Sequence, residues 1–376
     1  MGKLRGDWRD LFAGFVIALD VRKLVLCLTG ALLIFAFVGC PTPWIATRYD
    51  SSLAADLGER GPAGYVLMVP DAVGVIFRQE WHVPFLWTLG AILVFTAVWS
   101  LFGGAVSRIA AVEIAKEDRI RTQEALSFAW KKYPSNFSTL IACVLGFLFF
   151  TGLVWAGSLP GRIPVVGPWW GVVVGILFPF ALLGGFVATL IAVGTVFGYP
   201  LFYPAVAAEG TDAFDAISRG FSYVYSRPWR GLGYFLITLI HGAVSTAFVW
   251  AFGVALLFVT CLPVRLAMGP QFDHVIDFAL GRTDWTAVTA AGGVGLGVTA
   301  ILVTSWLILT VGLTLAYALS YLQSQLTMIY FLLRLRVDEL PMTYVYEEKD
   351  EEGTPVAPEG GAEKEPSAEK QEEKKP

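Results

Sequence analysis

Six apolar stretches set the first constraint on this chain, because the roughly 30 Å hydrocarbon core of a bilayer is crossed by ~20 apolar residues in helical form. They run near 24–38, 85–106, 137–156, 170–197, 232–261 and 294–319. Apolar residues make up 56% of the chain and charged ones only 15%, a balance that excludes a water-soluble globule of this length. The expected fold is an all-α integral membrane protein with about six transmembrane helices, residues 24–340 forming the polytopic domain. The first stretch is the shortest, since Pro41 and Pro43 stand where it would have to extend. The fourth and fifth are long enough to tilt or to project from the bilayer.

Charge sets the orientation. The formal net charge of -4 is dominated by Glu347–Pro376, which holds eleven acids against five bases and leaves the rest of the chain slightly basic. That balance is no sign of nucleic-acid binding. With the N-terminus in the cytoplasm, Lys3, Arg5, Arg9, Arg22, Lys23, Arg108, Lys116, Arg119, Arg121, Lys131, Lys132, Arg219, Arg227, Arg230, Arg334 and Arg336 lie inside, and only Arg48, Arg60, Arg78, Arg162, Arg265 and Arg282 lie outside. Positive residues gather on the cytoplasmic side, so both termini are expected there.

Residues 1–23 form a cytoplasmic amphipathic segment in which Trp8, Leu11, Phe12, Phe15 and Leu19 alternate with charge, the pattern of a helix lying on the inner leaflet. An extension of the first span into the cytoplasm fits the same residues. Residues 341–376, rich in Glu, Lys, Pro and Gly, read as a disordered acidic tail open to a cytoplasmic protein partner. The outer loops, 39–84 and 262–293, each carry a half-apolar stretch (Tyr65–Phe77 and Val275–Leu280) expected to pack over the outer mouth or skim the surface.

Two inner elbows, 107–136 and 198–231, share a pattern. Displaced by 91 positions, Leu126, Trp130 and Tyr133 fall on Ile217, Phe221 and Val224, an i, i+4, i+7 stripe in each copy. Thr122 and Thr211 are the expected helix caps, and Glu117 with Arg121 and Asp215 with Arg219 are spaced four apart. Such a pair stabilises a helix by only ~0.2–0.5 kcal/mol, so burial of the apolar stripe must dominate. Pro134 and Pro228 then end each elbow helix. The second and third spans with their elbow would thus repeat the fourth and fifth in the same orientation, a parallel internal repeat.

Three strings, GGAVSRIAAVEIAKEDRI (Gly103 to Ile120), AAEGTDAFDAISRGFSYVYSRPW (Ala207 to Trp229) and SYLQSQLTMIYFLLR (Ser320 to Arg334), resemble an uncharacterised family of multi-span bacterial membrane proteins seen especially in planctomycetes. The resemblance covers most of the chain apart from the tail and outer loops. It implies a bacterial inner-membrane location and about six spans, and it implies no activity.

Chemical motifs are sparse. No HExxH, P-loop, GxSxG or Asp-rich metal motif occurs, and the four cysteines and three histidines lack metal-site spacing, so no catalytic set, metal or cofactor is expected. Cys40 and Cys261 lie near the outer ends of spans, where a disulfide would be permitted if those ends were adjacent. The run Gly292, Gly293, Gly295, Gly297 and the pair Gly171 and Gly175 read as close helix packing. Glu113, Asp118, Glu209, Asp212 and Asp215 gather on the elbows, where a solvated face explains them without a metal or an acid and base pair.

Two sites remain. Arg219, Arg227 and Arg230 with Trp229 form a basic aromatic edge that fits positive-inside topology and also anionic lipid headgroups, because a guanidinium holds phosphate through two hydrogen bonds. His241 is the one imidazole at depth in a span, read as a neutral contact to a neighbouring helix or as part of a polar pocket with Thr238, Ser245, Thr304 or Ser305. The expected role is a non-enzymatic membrane-organising or interaction protein. The alternative is a small-molecule transporter, which would need a polar cavity or broken helix around Pro179, Gly184 and Gly185.

Overall fold

A computed structural model describes residues 4–53, 62–164 and 166–347, and among these the secondary structure is helical throughout, with no strand. Six helices are long and apolar enough to cross a membrane: α1 (Val21–Ala46), α3 (His82–Lys116), α5 (Tyr133–Ser158), α6 (Gly167–Glu209), α8 (Pro228–Met268) and α10 (Trp285–Val337). Two amphipathic helices, α4 (Thr122–Lys131) and α7 (Ala213–Ser226), join spans at one end, called the base. At the far end lie α2 (Pro62–Phe77) and α9 (Pro270–Ala279).

The spans run well past the apolar stretches that announce them. At 1.5 Å per residue, α3 is about 50 Å long and the unbroken part of α10, 294–337, about 65 Å, against roughly 30 Å of hydrocarbon. The surplus lies mainly at the base. There Ala110–Val112 of α3, Ala205–Ala208 of α6 and Met328–Leu333 of α10 interlock in one core with Leu11, Ile17 and Val345. Farther out the helices part into lipid-facing arms, and none of the most apolar window of α8 is buried. α8 leans on α10 through a stripe of small and polar residues, with Gly242 against the Tyr321 ring and Gly253 beside Thr314. The elbows therefore shrink from the expected 107–136 and 198–231, because α3 continues to Lys116 and α6 to Glu209. α10 likewise passes the expected end at 319 and is most deeply buried beyond it.

The first span includes the prolines that the sequence set against it. Phe35–Gly39 forms a widened π-turn, with Cys40 N–H donating to Phe35 O at 2.8 Å, and the helix resumes at Pro41. A wider turn absorbs the donor that proline lacks. Ahead of it, residues 8–18 do not form a regular surface helix. They make a 3-10 helix and one short α-turn pressed against α10, leaving Trp8, Phe12 and Val16 outward and Leu11, Ile17 and Ala18 buried. Irregular backbone strands carbonyls, and α10 and α1 satisfy them: Gln325 Nε2 donates to Leu11 O (2.5 Å), Ser320 Oγ to Ala18 O (2.8 Å) and Lys23 Nζ to Ile17 O (2.9 Å).

At the far end, α9 packs Phe272, Val275 and Phe278 on Val288, Leu296 and Ala300, and α2 packs Met68, Ala72 and Ile76 on Ala46 and Leu53. The glycine run does more than pack: Gly292 and Gly293 leave helical geometry, Gly293 at φ 73°, and break the axis of α10. A Cβ added at Gly171 or Gly175 would meet no atom of another helix within 4 Å, so the pair marks no close helix approach, whereas Gly184 of α6 lies against Val154 of α5. Cys40 and Cys261 are thiols and are not joined to each other. Of the tail expected from 341, residues 341–347 are docked on the base with Val345 buried; the rest of that expectation, 348–376, lies outside the described residues.

Candidate functional site at the base

α4 and α7 are built alike in part. Each follows a long helix that ends on a left-handed residue, Glu117 at φ 55° and Gly210 at φ 65°. With Glu117 used as that terminus, it shares no helix with Arg121, and the expected pair there is not made. The caps differ from expectation by one residue: Asp212, not Thr211, accepts the Asp215 N–H at 2.9 Å, and Arg121 occupies the position before Thr122. Their bundle-facing residues are small, Ala125 and Ala129 on α4 and Ala216 and Gly220 on α7, joined by Phe128 and Tyr223. The large stripe faces elsewhere. Trp130 is 68% exposed, whereas Phe221 lies over Gly194 of α6, so the two stripe centres sit in unlike surroundings.

α7 is held by charge. Arg219 reaches Glu209 at 2.8 Å, Asp215 at 3.2 Å and Asp338 at 3.5 Å. Burial works against the cation, but the Glu209 carboxylate and the Asp215 hydrogen bond outweigh it and hold the Arg219 pKa above its ordinary value. Glu209 also accepts from the Tyr330 hydroxyl and lies 3.6 Å from the fully buried guanidinium of Arg334. The Tyr223 hydroxyl donates to Asp338, and burial followed by that carboxylate pushes its pKa up.

The same cluster ties down the chain beyond α10. Arg334 Nη2 donates to Pro341 O (3.1 Å) and Tyr344 O (2.7 Å), and Arg108 bridges Ala207 O (2.8 Å) and Tyr346 O (2.7 Å). Tyr346 N–H completes the dock on Ala208 O at 2.7 Å. On the other side of the base, Lys23 is fully buried and meets Glu113 at 2.6 Å. Asp20 caps α1 and binds Arg22; burial opposes its ionisation, but the Arg22 bonds and charge prevail and hold the carboxyl below its ordinary range.

The expected site residues therefore divide. Arg219 is spent on three carboxylates. Arg227 and Arg230 are exposed and form no ion pair among the described residues, and Trp229 beside them is 83% exposed. Next to this edge an apolar groove of about 280 Å³ opens between α6, α7 and α8, floored by Leu201 and Leu333 and walled by Phe197, Gly231, Leu232 and Phe235. His241 pairs with a neighbouring helix through Tyr321 Oη at 2.8 Å and meets the Phe12 ring edge-on at 5.1 Å. Ser245 and Ser305 bond carbonyls of their own helices, so they build no pocket with it.

The elbow carboxylates are likewise engaged. Glu113 and Glu209 are paired, Asp212 is a cap, and no group of three His, Cys, Asp or Glu among the described residues is arranged to hold a metal. In the sequence Arg108 and Arg334 speak only for orientation, and Tyr330 and Asp338 carry no signal of their own. The available signal was the polar series Ser320, Gln323, Gln325 and Arg334 inside an otherwise apolar helix, which has to be answered by partners when buried. No protein-family model, no curated protein and no solved structure matches this chain.

Proposed function

We propose that this chain is a multi-pass protein of the bacterial inner membrane, with both termini and the base in the cytoplasm. There it works without catalysis, organising the membrane or its partners. On this reading the base is a rigid platform at the inner leaflet, Arg227, Trp229 and Arg230 meet anionic lipid headgroups, and the acidic residues after 347 engage a cytoplasmic protein. The observation that carries it is the contrast among the arginines: Arg108, Arg219 and Arg334 are built into the base, while Arg227 and Arg230 remain exposed beside an exposed tryptophan. A charged and aromatic edge at headgroup depth is the pattern that recognises an anionic leaflet.

Transport is supported less well. α6 runs unbroken through Pro179, and the groove of about 410 Å³ beside it is apolar, walled by Phe150, Val154, Leu177, Phe180 and Gly184. A solute pathway calls for polar groups or an unwound helix at that depth. Lipid retained through purification tests the main reading. Replacing Arg227 and Arg230 together by Gln is expected to deplete anionic phospholipid relative to zwitterionic, and an unchanged lipid profile would remove headgroup recognition from the account.

A further inference from the structure

We infer that the groove between α6, α7 and α8 seats one acyl chain of an anionic phospholipid whose phosphate is held by Arg227; this rests on the headgroup reading above and assigns it a place. The lining leaves little choice of occupant. Its two tyrosine hydroxyls are already committed, Tyr223 to Asp338 and Tyr225 to the Leu190 carbonyl, and apart from the Trp229 indole at the exposed rim the remaining side-chain walls are hydrocarbon. A peptide segment would bring amides that find no partners there, at a cost that a hydrocarbon chain does not incur. About 280 Å³ lies just under the usual range of ligand-site volumes and gives room for part of one hydrocarbon chain, the rest of which lies against the open face.

Charge stands in the chain directly beside this lining. Arg227 is the single residue between α7 and α8, it is exposed, and Pro228, Trp229, Gly231 and Leu232 immediately after it line the groove. Arg230 differs. At ~100° per residue it falls on the far side of the first turn of α8 from Leu232 and Phe235, so it meets the general leaflet and not the seated lipid. Tyr225 and Trp229 are exposed at the rim, as interfacial aromatics are. Since neighbouring lipid tails are as apolar as the groove, occupancy depends on fit and on the Arg227 charge rather than on escape from water.

Native mass spectrometry of the full chain in mild detergent, titrated with phosphatidylglycerol and phosphatidylcholine of long (dioleoyl) and short (dihexanoyl) chains, tests this. The wild type is expected to retain one long-chain phosphatidylglycerol and to release the short-chain form. Arg227→Gln should lower the preference for phosphatidylglycerol over phosphatidylcholine about fivefold while still holding a long chain, and Arg230→Gln should leave that preference in place. Gly231→Phe, at a position where an added Cβ meets no atom within 4 Å, should fill the groove and abolish retention of both lipids. Equal retention of long and short chains in the wild type would overturn the chain site and leave the headgroup reading standing, a result that depends on no variant folding. Equal retention of the two headgroups would overturn the headgroup reading and, with it, the seated anionic lipid. A retained peptide mass in place of lipid would also refute the inference.

Discussion

Lys23 Nζ lies 2.6 Å from Glu113 Oε2, ninety positions away in the chain, and joins the start of the first span to the end of the second. Lys23 has no exposed surface, so the pair is an inserted charge whose partner is obligatory. Lys23→Met alone strands Glu113, and Glu113→Gln alone strands Lys23. Each is expected to cost about 3–5 kcal/mol in unfolding titrations, whereas the double replacement Lys23→Met with Glu113→Leu should recover part of that loss, the bond from Lys23 to the Ile17 carbonyl staying broken. A double variant no more stable than the singles would count against the pairing.

Glu209 has two cationic neighbours, fully buried Arg334 and partly exposed Arg219, and its neutralisation should be felt in the segment beyond α10. Glu209→Gln leaves Arg334 without a counter-charge and loosens its hold on Pro341 and Tyr344. Hydrogen exchange at 341–347 should accelerate by at least tenfold, while exchange in α9, at the far end of the bundle, stays at the wild-type rate.

Gly210 carries the positive φ that ends α6, and a Cβ there would come 2.5 Å from the Tyr346 ring. Gly210→Ala therefore combines a left-handed penalty of ~1–2 kcal/mol with displacement of Tyr346. Limited proteolysis should cut after α10 faster in this variant, and protection equal to wild type would argue against the dock.

Asp20 gives the base an acid limit. Its carboxyl is held below the ordinary aspartate value of about 3.9, so the stabilisation is present above that pH and disappears as pH falls through the lowered folded value. Melting followed from pH 6 to pH 3 should show a loss concentrated below about pH 4, and Asp20→Asn should flatten that part of the curve.

The number and approximate position of the spans are legible in the sequence because lipid contact demands unbroken apolar runs, as in 232–261. Their base-side continuations are not. Gln323, Gln325 and Arg334 look like the end of a span in one dimension, yet each is buried against residues far away in sequence: Ser107, Leu11 and Glu209. The apolar stripes of α4 and α7 are equally visible, but the faces that bury are others, small residues flanking one ring on each, Phe128 on α4 and Tyr223 on α7. Ala125, Ala129, Ala216 and Gly220 turn inward because small residues let helices approach, and bulky Trp130 is left outside. Of the basic edge, spacing alone could not separate Arg219 from Arg227, since Glu209 and Asp338 reach Arg219 only through the fold.

The docked segment 338–347 also fixes an order of events during synthesis. It follows all six spans in the chain, so the carbonyl of Tyr346 that Arg108 binds is translated 238 residues after that arginine. At roughly 5–20 residues per second the guanidinium waits on the order of 10–50 s, through the insertion of four more spans, before this acceptor exists. Closure of the base therefore cannot precede synthesis of the sixth span, and until residues 341–347 follow it Arg108 and Arg334 stand without carbonyls that hold them in the finished protein.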